Sequence, residues 1–157
     1  MKVAALACLA TLGLPLIAHG EAGRPPDVAT RARGSDRVVV ATVLDVNASF
    51  AKSEFGDQLI VSRVVLQVEE VMKGDDAVTV EVAVEGGTVG DLTMTASDMP
   101  SMKRGERGVF FLKRSQSGVE VPHLRGLGIL KLDEQNRVRG TALNVDAVRS
   151  AVRGAGH

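Results

Sequence analysis

The chain has 157 residues but only one cysteine, no tryptophan and no tyrosine. Its four phenylalanines are too few to plate an outer surface with rings, and Phe110 and Phe111 lie inside an apolar run that reads as core. A sugar-stacking face and a platform for single-stranded nucleic acid both need exposed aromatics, so both are set aside. Charge of one sign is missing too. The formal net charge is zero, which leaves no electrostatic footprint for nucleic acid. Long hydrophobic runs are also absent. The longest, Val3 to Ile17, covers 15 residues and falls short of the roughly 20 that a membrane-spanning helix needs.

That apolar run has a different meaning. MKVAALACLATLGLPLIAHGEAG puts one lysine before it, breaks it at Gly13 and Pro15, and follows it with small residues. This is the three-part order of a secretory signal peptide, expected at 1–20 with cleavage after Gly20 or Ala22. The apolar run continues past Cys8, which argues against a lipid-anchoring cysteine. Cys8 then leaves with the signal, and the exported chain has no thiol to form a disulfide. Its core alone must hold it, and about 135 residues suffice for that.

Residues 21–36, EAGRPPDVATRARGSD, carry Pro25-Pro26 and no apolar period, and they read as a flexible leader. Strands are expected next at 37–47 and 58–72, with a loop at 48–57 between them. In VTVEVAVE, Val78, Val80, Val82 and Val84 alternate with Thr79, Glu81, Ala83 and Glu85, so one face of a strand is buried and the other wet. Residues 86–108 look irregular, with a short strand at 92–96. Further strands are expected at 108–114, 119–124 and within 127–140. A terminal helix at 144–153 has Asn144 as its cap, Asp146 in its first turn and Gly154 at its end. The fold class is therefore all-β: a small OB-like antiparallel barrel of about five to seven strands with a short C-terminal helix. Residues 37–153 form a single domain.

VEEVMKGDD, residues 68–76, is the stretch that most resembles an active site. Glu69 and Glu70 are neighbours on a strand and are expected to leave it on opposite faces, while Lys73-Gly74-Asp75-Asp76 has turn chemistry. Catalytic carboxylates must converge, so the cluster reads as the wet rim of a turn. Residues 69–98 hold eight acids against Lys73, and residues 103–153 hold eleven bases against five acids. The two halves are expected to neutralise each other across a sheet. A polarised surface that orients a charged partner is the other reading.

SDRVVVATVLDV, then a strand ending VEEVMKG, then VTVEV, and after a loop RGERGVFFLK, resembles the barrel of netrin-like domains, which tissue inhibitors of metalloproteinases share. It is also similar to exported, cysteine-free bacterial proteins of that type. The resemblance covers about residues 36–140 and rests on strands and turns. It implies an OB-type barrel and an association with protein binding. In the inhibitors an N-terminal cysteine binds the protease zinc. This chain has no matching cysteine, so no inhibitory residue carries over.

The remaining chemistries are thin. His123 is the one internal histidine, beside a proline at a strand end, and no Gly-x-Ser-x-Gly elbow accompanies it. GGTVGD at 86–91 lacks the spacing of a phosphate loop. Met94, Met99 and Met102 fall within nine residues, and with His123 they would suit Cu(I) in an exported protein. Methionine is equally a contact residue on adaptable binding surfaces. The resulting expectation is an exported, periplasmic or secreted module with no cofactor and no catalytic residue. It would bind another exported protein, with a secreted protease as the candidate, through loops 48–57 and 86–102. Met94, Met99, Met102, Phe50 and Phe55 are its expected contacts.

Overall fold

Strand β1 runs for 16 residues, Arg37–Lys52, and its first half is buried on both faces. In that half Val39, Ala41 and Val43 point into one apolar cluster, while Val38 and Val40 point into another. This is why the stretch reads as an unbroken valine run and not as an alternation. The computed structural model describes residues 27–53 and 55–156. The expected signal peptide, its cleavage positions and residues 21–26 lie outside that range.

A turn at Ser53 to Asp57 folds β1 back on β2, Gln58–Lys73, and the two pair from Lys52↔Gln58 out to Val38↔Lys73. β2 pairs β3, Thr79–Glu85, from Val61↔Glu85 to Gln67↔Thr79. A small hairpin of β4, Gly87–Val89, and β5, Leu92–Met94, follows. β6, Arg107–Arg114, returns to pair β1 from Arg37↔Leu112 to Thr42↔Arg107. β7, Glu120–Pro122, lies between β6 and β3 and touches β3 in parallel at Val82↔Glu120. β8, Ile129–Lys131, adds to β6. The order β1-β2-β3-β7-β6-β1 closes a ring of five strands, antiparallel apart from the β3–β7 contact. The expected small β-barrel with a short C-terminal helix is there.

Inside the ring lie Val39, Val43, Val64, Leu66, Val80, Val82, Val84, Phe110 and Leu112. The alternation in β3 works as read for Val80, Val82 and Val84. Val78 precedes the strand and is 79% exposed. A second cluster lies outside the wall of β1 and β6, where Phe111, Val38 and Val40 meet Val145, Val148 and Val152. Those valines belong to α2, Val145–Gly154, whose cap is Asn144 as expected, with Oδ1 accepting from the Ala147 N–H at 2.9 Å.

Two expectations need correction. The leader is not flexible throughout: α1, Val28–Gly34, is a seven-residue helix whose Val28 and Ala32 are buried in the outer cluster. Two apolar residues at i and i+4 leave no visible period, and tertiary contacts stabilise so short a helix. Asp27 caps it through the Thr30 N–H at 2.7 Å. The Lys73 ammonium donates to the carbonyls of Ala32 and Ser35 at its other end, at 2.7 and 2.6 Å, and Arg31 donates to the Leu127 carbonyl. Residues 48–52, expected in a loop, continue β1. Ala48, Ser49 and Ala51 have weak strand propensity, but β2 templates them residue for residue.

Among the described residues no helix is long and apolar enough to cross a membrane.

Candidate functional site

Where β1 leaves β6, the end of the barrel opens into a cleft of about 330 Å³. The departure has a local cause. Val43 still exchanges backbone bonds with this part of the chain, donating to the Glu106 carbonyl and accepting from the Gly105 N–H, both at 2.8 Å. Leu44 is then an extra residue in the ladder, since Val43 pairs Leu66 and Asp45 pairs Val65. Such a bulge bends the strand away from its neighbour.

Val46 and Ala48 of β1, Ser62 of β2 and Val84 of β3 form the floor of the cleft. The chain then crosses the mouth at Gly86-Gly87, both at positive φ (99° and 136°). A Cβ on Gly87 would stand 2.5 Å from Ser62 Oγ and 2.9 Å from Ala48 Cβ, so only glycine permits the crossing. The Ser62 hydroxyl donates to the Gly86 carbonyl at 2.7 Å, and the Gly86 N–H donates to the Ile60 carbonyl at 2.8 Å. The β4–β5 hairpin and the segment 95–102 form the far wall, and they bring Met94, Met99 and Met102 to one cleft.

Arg125 fastens this excursion at both of its ends. Its guanidinium donates to both Glu85 carboxylate oxygens at 2.9 and 2.8 Å, and it also pairs with Asp98. Hydrogen bonds from Arg125 come first among the causes that hold both carboxyls below their ordinary range. Gly126 adds a backbone bond to the Asp98 carbonyl at 3.1 Å, and a side chain at Gly126 would collide with that carbonyl. Lys131 steadies the exit of the loop, donating to the Ser101 carbonyl at 2.6 Å and pairing with Glu106.

The predicted contacts separate into groups. Met94, Met99 and Met102 converge. Met99 and Met102 also pack on the barrel core, and Met94 Sδ accepts the Ile60 N–H at 3.5 Å. Phe50 pairs across from the inward-facing Ile60, so it shares the face of Ala48 and Val46. It is 46% exposed and does not line the cleft. Phe55 lies in the β1–β2 turn, 87% exposed. His123 is not with the methionines. Its N–H donates to the Phe111 carbonyl at 2.7 Å and its imidazole abuts Gly34 of α1. Burial, followed by the charge of Lys113, holds the imidazole pKa below its usual 6.5.

The acidic stretch differs from expectation in one respect. Glu69 is an extra residue in β2, between the pairs Val40↔Glu70 and Ala41↔Val68, and this bulge turns both glutamates toward one polar cleft. Neighbouring residues on a regular strand would part. A bulge reverses that, and no glycine marks it in the sequence. The glutamates are still not an acid–base pair. Glu69 accepts from Arg107 at 2.5 Å and from the Thr42 hydroxyl at 2.6 Å. Glu70 accepts two bonds from Arg149, at 2.6 and 2.7 Å. Each arginine, by hydrogen bonding first, keeps its carboxyl ionised. The acidic and basic halves of the sequence do meet here and at Arg125, but not as pairs on neighbouring strands: Arg149 lies on α2, Arg125 lies outside the strands, and β1 separates Arg107 from Glu69. Among the described residues no group of three or more His, Cys, Asp or Glu is placed to hold a metal ion.

Sequence reasoning missed the Gly-Gly crossing and the Arg125 clamp. The hairpin left a usable signal in Val89-Gly90-Asp91-Leu92, a two-residue glycine turn between apolar residues. Arg125 left none, because its partners lie 27 and 40 positions away. A scan against protein-family models and a search of curated proteins found no match to this chain.

Proposed function

We propose that this protein is an exported binding module that holds a segment of another exported protein in the methionine-lined cleft and catalyses no reaction. The observation that carries this reading is the convergence of Met94, Met99 and Met102 on one cleft. Thioether side chains are unbranched and polarisable, so they adapt to varied apolar partners. The clamp at Arg125 supports it further, since a binding loop gains affinity when it is ordered before the partner arrives. Export rests on the N-terminal signal pattern. A secreted protease as partner rests on the resemblance to netrin-like and inhibitor barrels, and fold alone does not set function.

The test is capture of partners from native periplasm and medium by the exported chain, wild type against Met99→Ser/Met102→Ser, with thermal unfolding of both followed alongside. Loss of a specific partner while the variant remains folded supports the reading. Because both methionines also touch the core, the double variant should lose about 1–3 kcal/mol of stability. Equal capture by the two proteins removes the cleft from the interaction. The protease arm is read separately, as the residual activity of any captured protease with added protein.

The three thioethers also favour a second reading, a Cu(I) site. His123 cannot complete it from its place against Gly34, and the Met94 sulfur already faces the Ile60 N–H. An anaerobic Cu(I) titration decides. One tight site, lost in the methionine variant, would replace the binding reading.

A further inference from the structure

The free edge of β1 borders the cleft and defines what kind of segment fits there. β2 covers one edge of β1 along nearly its whole length. β6 covers the other edge only as far as Thr42, and the backbone bonds of Val43 end that contact. From Asp45 to Lys52, β1 has no sheet partner on this side among the described residues. In an antiparallel strand alternate residues turn both N–H and C=O toward each edge, so this stretch presents a row of unpaired donors and acceptors. Proteins usually blunt such edges with charge, proline, bulges or shortness. Here the bulge at Leu44 and the charges of Asp45 and Lys52 stand only at the two ends of the edge, and the six residues between them, VNASFA, have neither charge nor proline.

The ladder and the cleft lie side by side. Val46 and Ala48, both on the free stretch, belong to the floor of the cleft, and the exposed Phe50 continues their row. Asp45, Asn47 and Ser49 alternate with them and are exposed. An unpaired row of N–H and C=O groups is satisfied by another extended backbone. A strand added to it must send every second side chain to the face of Val46, Ala48 and Phe50. We propose that the occupant is an extended polypeptide segment that adds as a strand to the outer edge of Asp45–Lys52 and places an apolar side chain among Met94, Met99 and Met102. Side chains between those apolar ones face solvent, so the segment alternates apolar and polar residues. The inference rests on the binding reading above and names its ligand class.

Peptides of about eight residues span this edge at roughly 3.3 Å per residue. The experiment selects such peptides from a random display library on the purified exported chain. The best is then resynthesised with N-methyl groups on alternate residues, in both phases. Alternating apolar sequences are expected. Amide exchange should slow at alternate positions within Asp45–Lys52 when peptide binds, and one N-methylation phase should abolish binding while the other leaves it within a few-fold. Equal binding by both N-methylated phases overturns the strand addition but leaves the cleft as a binding site. A library that yields no binder, while native partner capture still depends on Met99 and Met102, overturns this inference alone. Failure of both removes the binding reading too. A dimer in light scattering whose amides at Asp45–Lys52 are protected without peptide overturns the inference, because the occupant is then a second copy.

Discussion

Leu124 and Arg125 both stand at positive φ (58° and 56°), a conformation that costs a non-glycine residue on the order of 1 kcal/mol or more. The grip of Arg125 on Glu85 and Asp98, and the bond from the Gly126 N–H to the Asp98 carbonyl, oppose that cost. The Arg125 side chain is 48% exposed, so its ion pairs contribute little to global stability. Their effect is local. Arg125→Gln should change the unfolding free energy by less than about 1 kcal/mol, yet speed amide exchange and proteolysis across residues 86–102. Unchanged exchange there would mean that the clamp does not order the cleft. His123 yields a second prediction at this scale. Its folded-state pKa is depressed by burial first, then by Lys113, with Lys73 adding to this and Asp36 opposing it. Below the unfolded value of 6.5 the unfolded chain therefore binds the proton more readily than the folded one. Stability is complete above that value and declines as pH falls through it. Glu69, Glu70 and Glu85 are depressed carboxylates, and their contribution disappears only below the ordinary carboxylate range near about 4. A fall in Tm between about pH 7 and pH 5, present in wild type and absent in His123→Asn, is the expected result. An identical fall in both proteins would assign it to another group.

At the scale of elements, legibility depended on whether an element carries its own pattern. α2 announces itself through Asn144, Asp146 and the i, i+4 pair Val148 and Val152. α1 has one such pair, and groups remote in sequence, Lys73 at one end and Leu127 opposite Arg31, hold the rest of it. No window of local sequence contains those partners. β1 beyond Asn47 likewise depends on β2 opposite, because its own residues are small. The site was legible in the same uneven way. The methionines were visible as a cluster, whereas the bulge at Glu69 and the clamp from Arg125 arise only after the strands pair. These differences make α1 a sharp test. Ala32 is 1% exposed within the outer apolar cluster, and Ala32→Glu forces a longer, charged side chain into it, which should cost about 2 kcal/mol. A flexible leader would accept the same substitution without penalty. Urea unfolding of the two proteins separates these outcomes.

For the whole molecule, one wall of two strands carries two cores. Phe110 and Phe111 are sequence neighbours on β6, buried to 1% and 0%, and the pleat sends them to opposite sides. Phe110 packs inside the ring with Val43, Leu66 and Val82, while Phe111 packs outside it with Val148 and Val152 of α2 and Ala32 of α1. With one cysteine in the whole chain, no intrachain disulfide can join the layers. Their coupling is the shared backbone of β1 and β6. Phe110→Ala and Phe111→Ala should each cost about 3–5 kcal/mol, by lost burial plus the cavity left behind. The pattern of loosening should nonetheless differ. In Phe111→Ala the amides of α2 should exchange well before those of β2 and β3, because the helices lose their main anchor while the ring keeps its own. In Phe110→Ala the ring loses its filling, and β2 and β3 should lose protection together with α2, since the outer layer has no wall to rest on once the ring opens. Native-state exchange that ranks the strands and helices identically in both variants would mean that the two clusters unfold as one, and that the helices are as much a part of the barrel as the strands they cover.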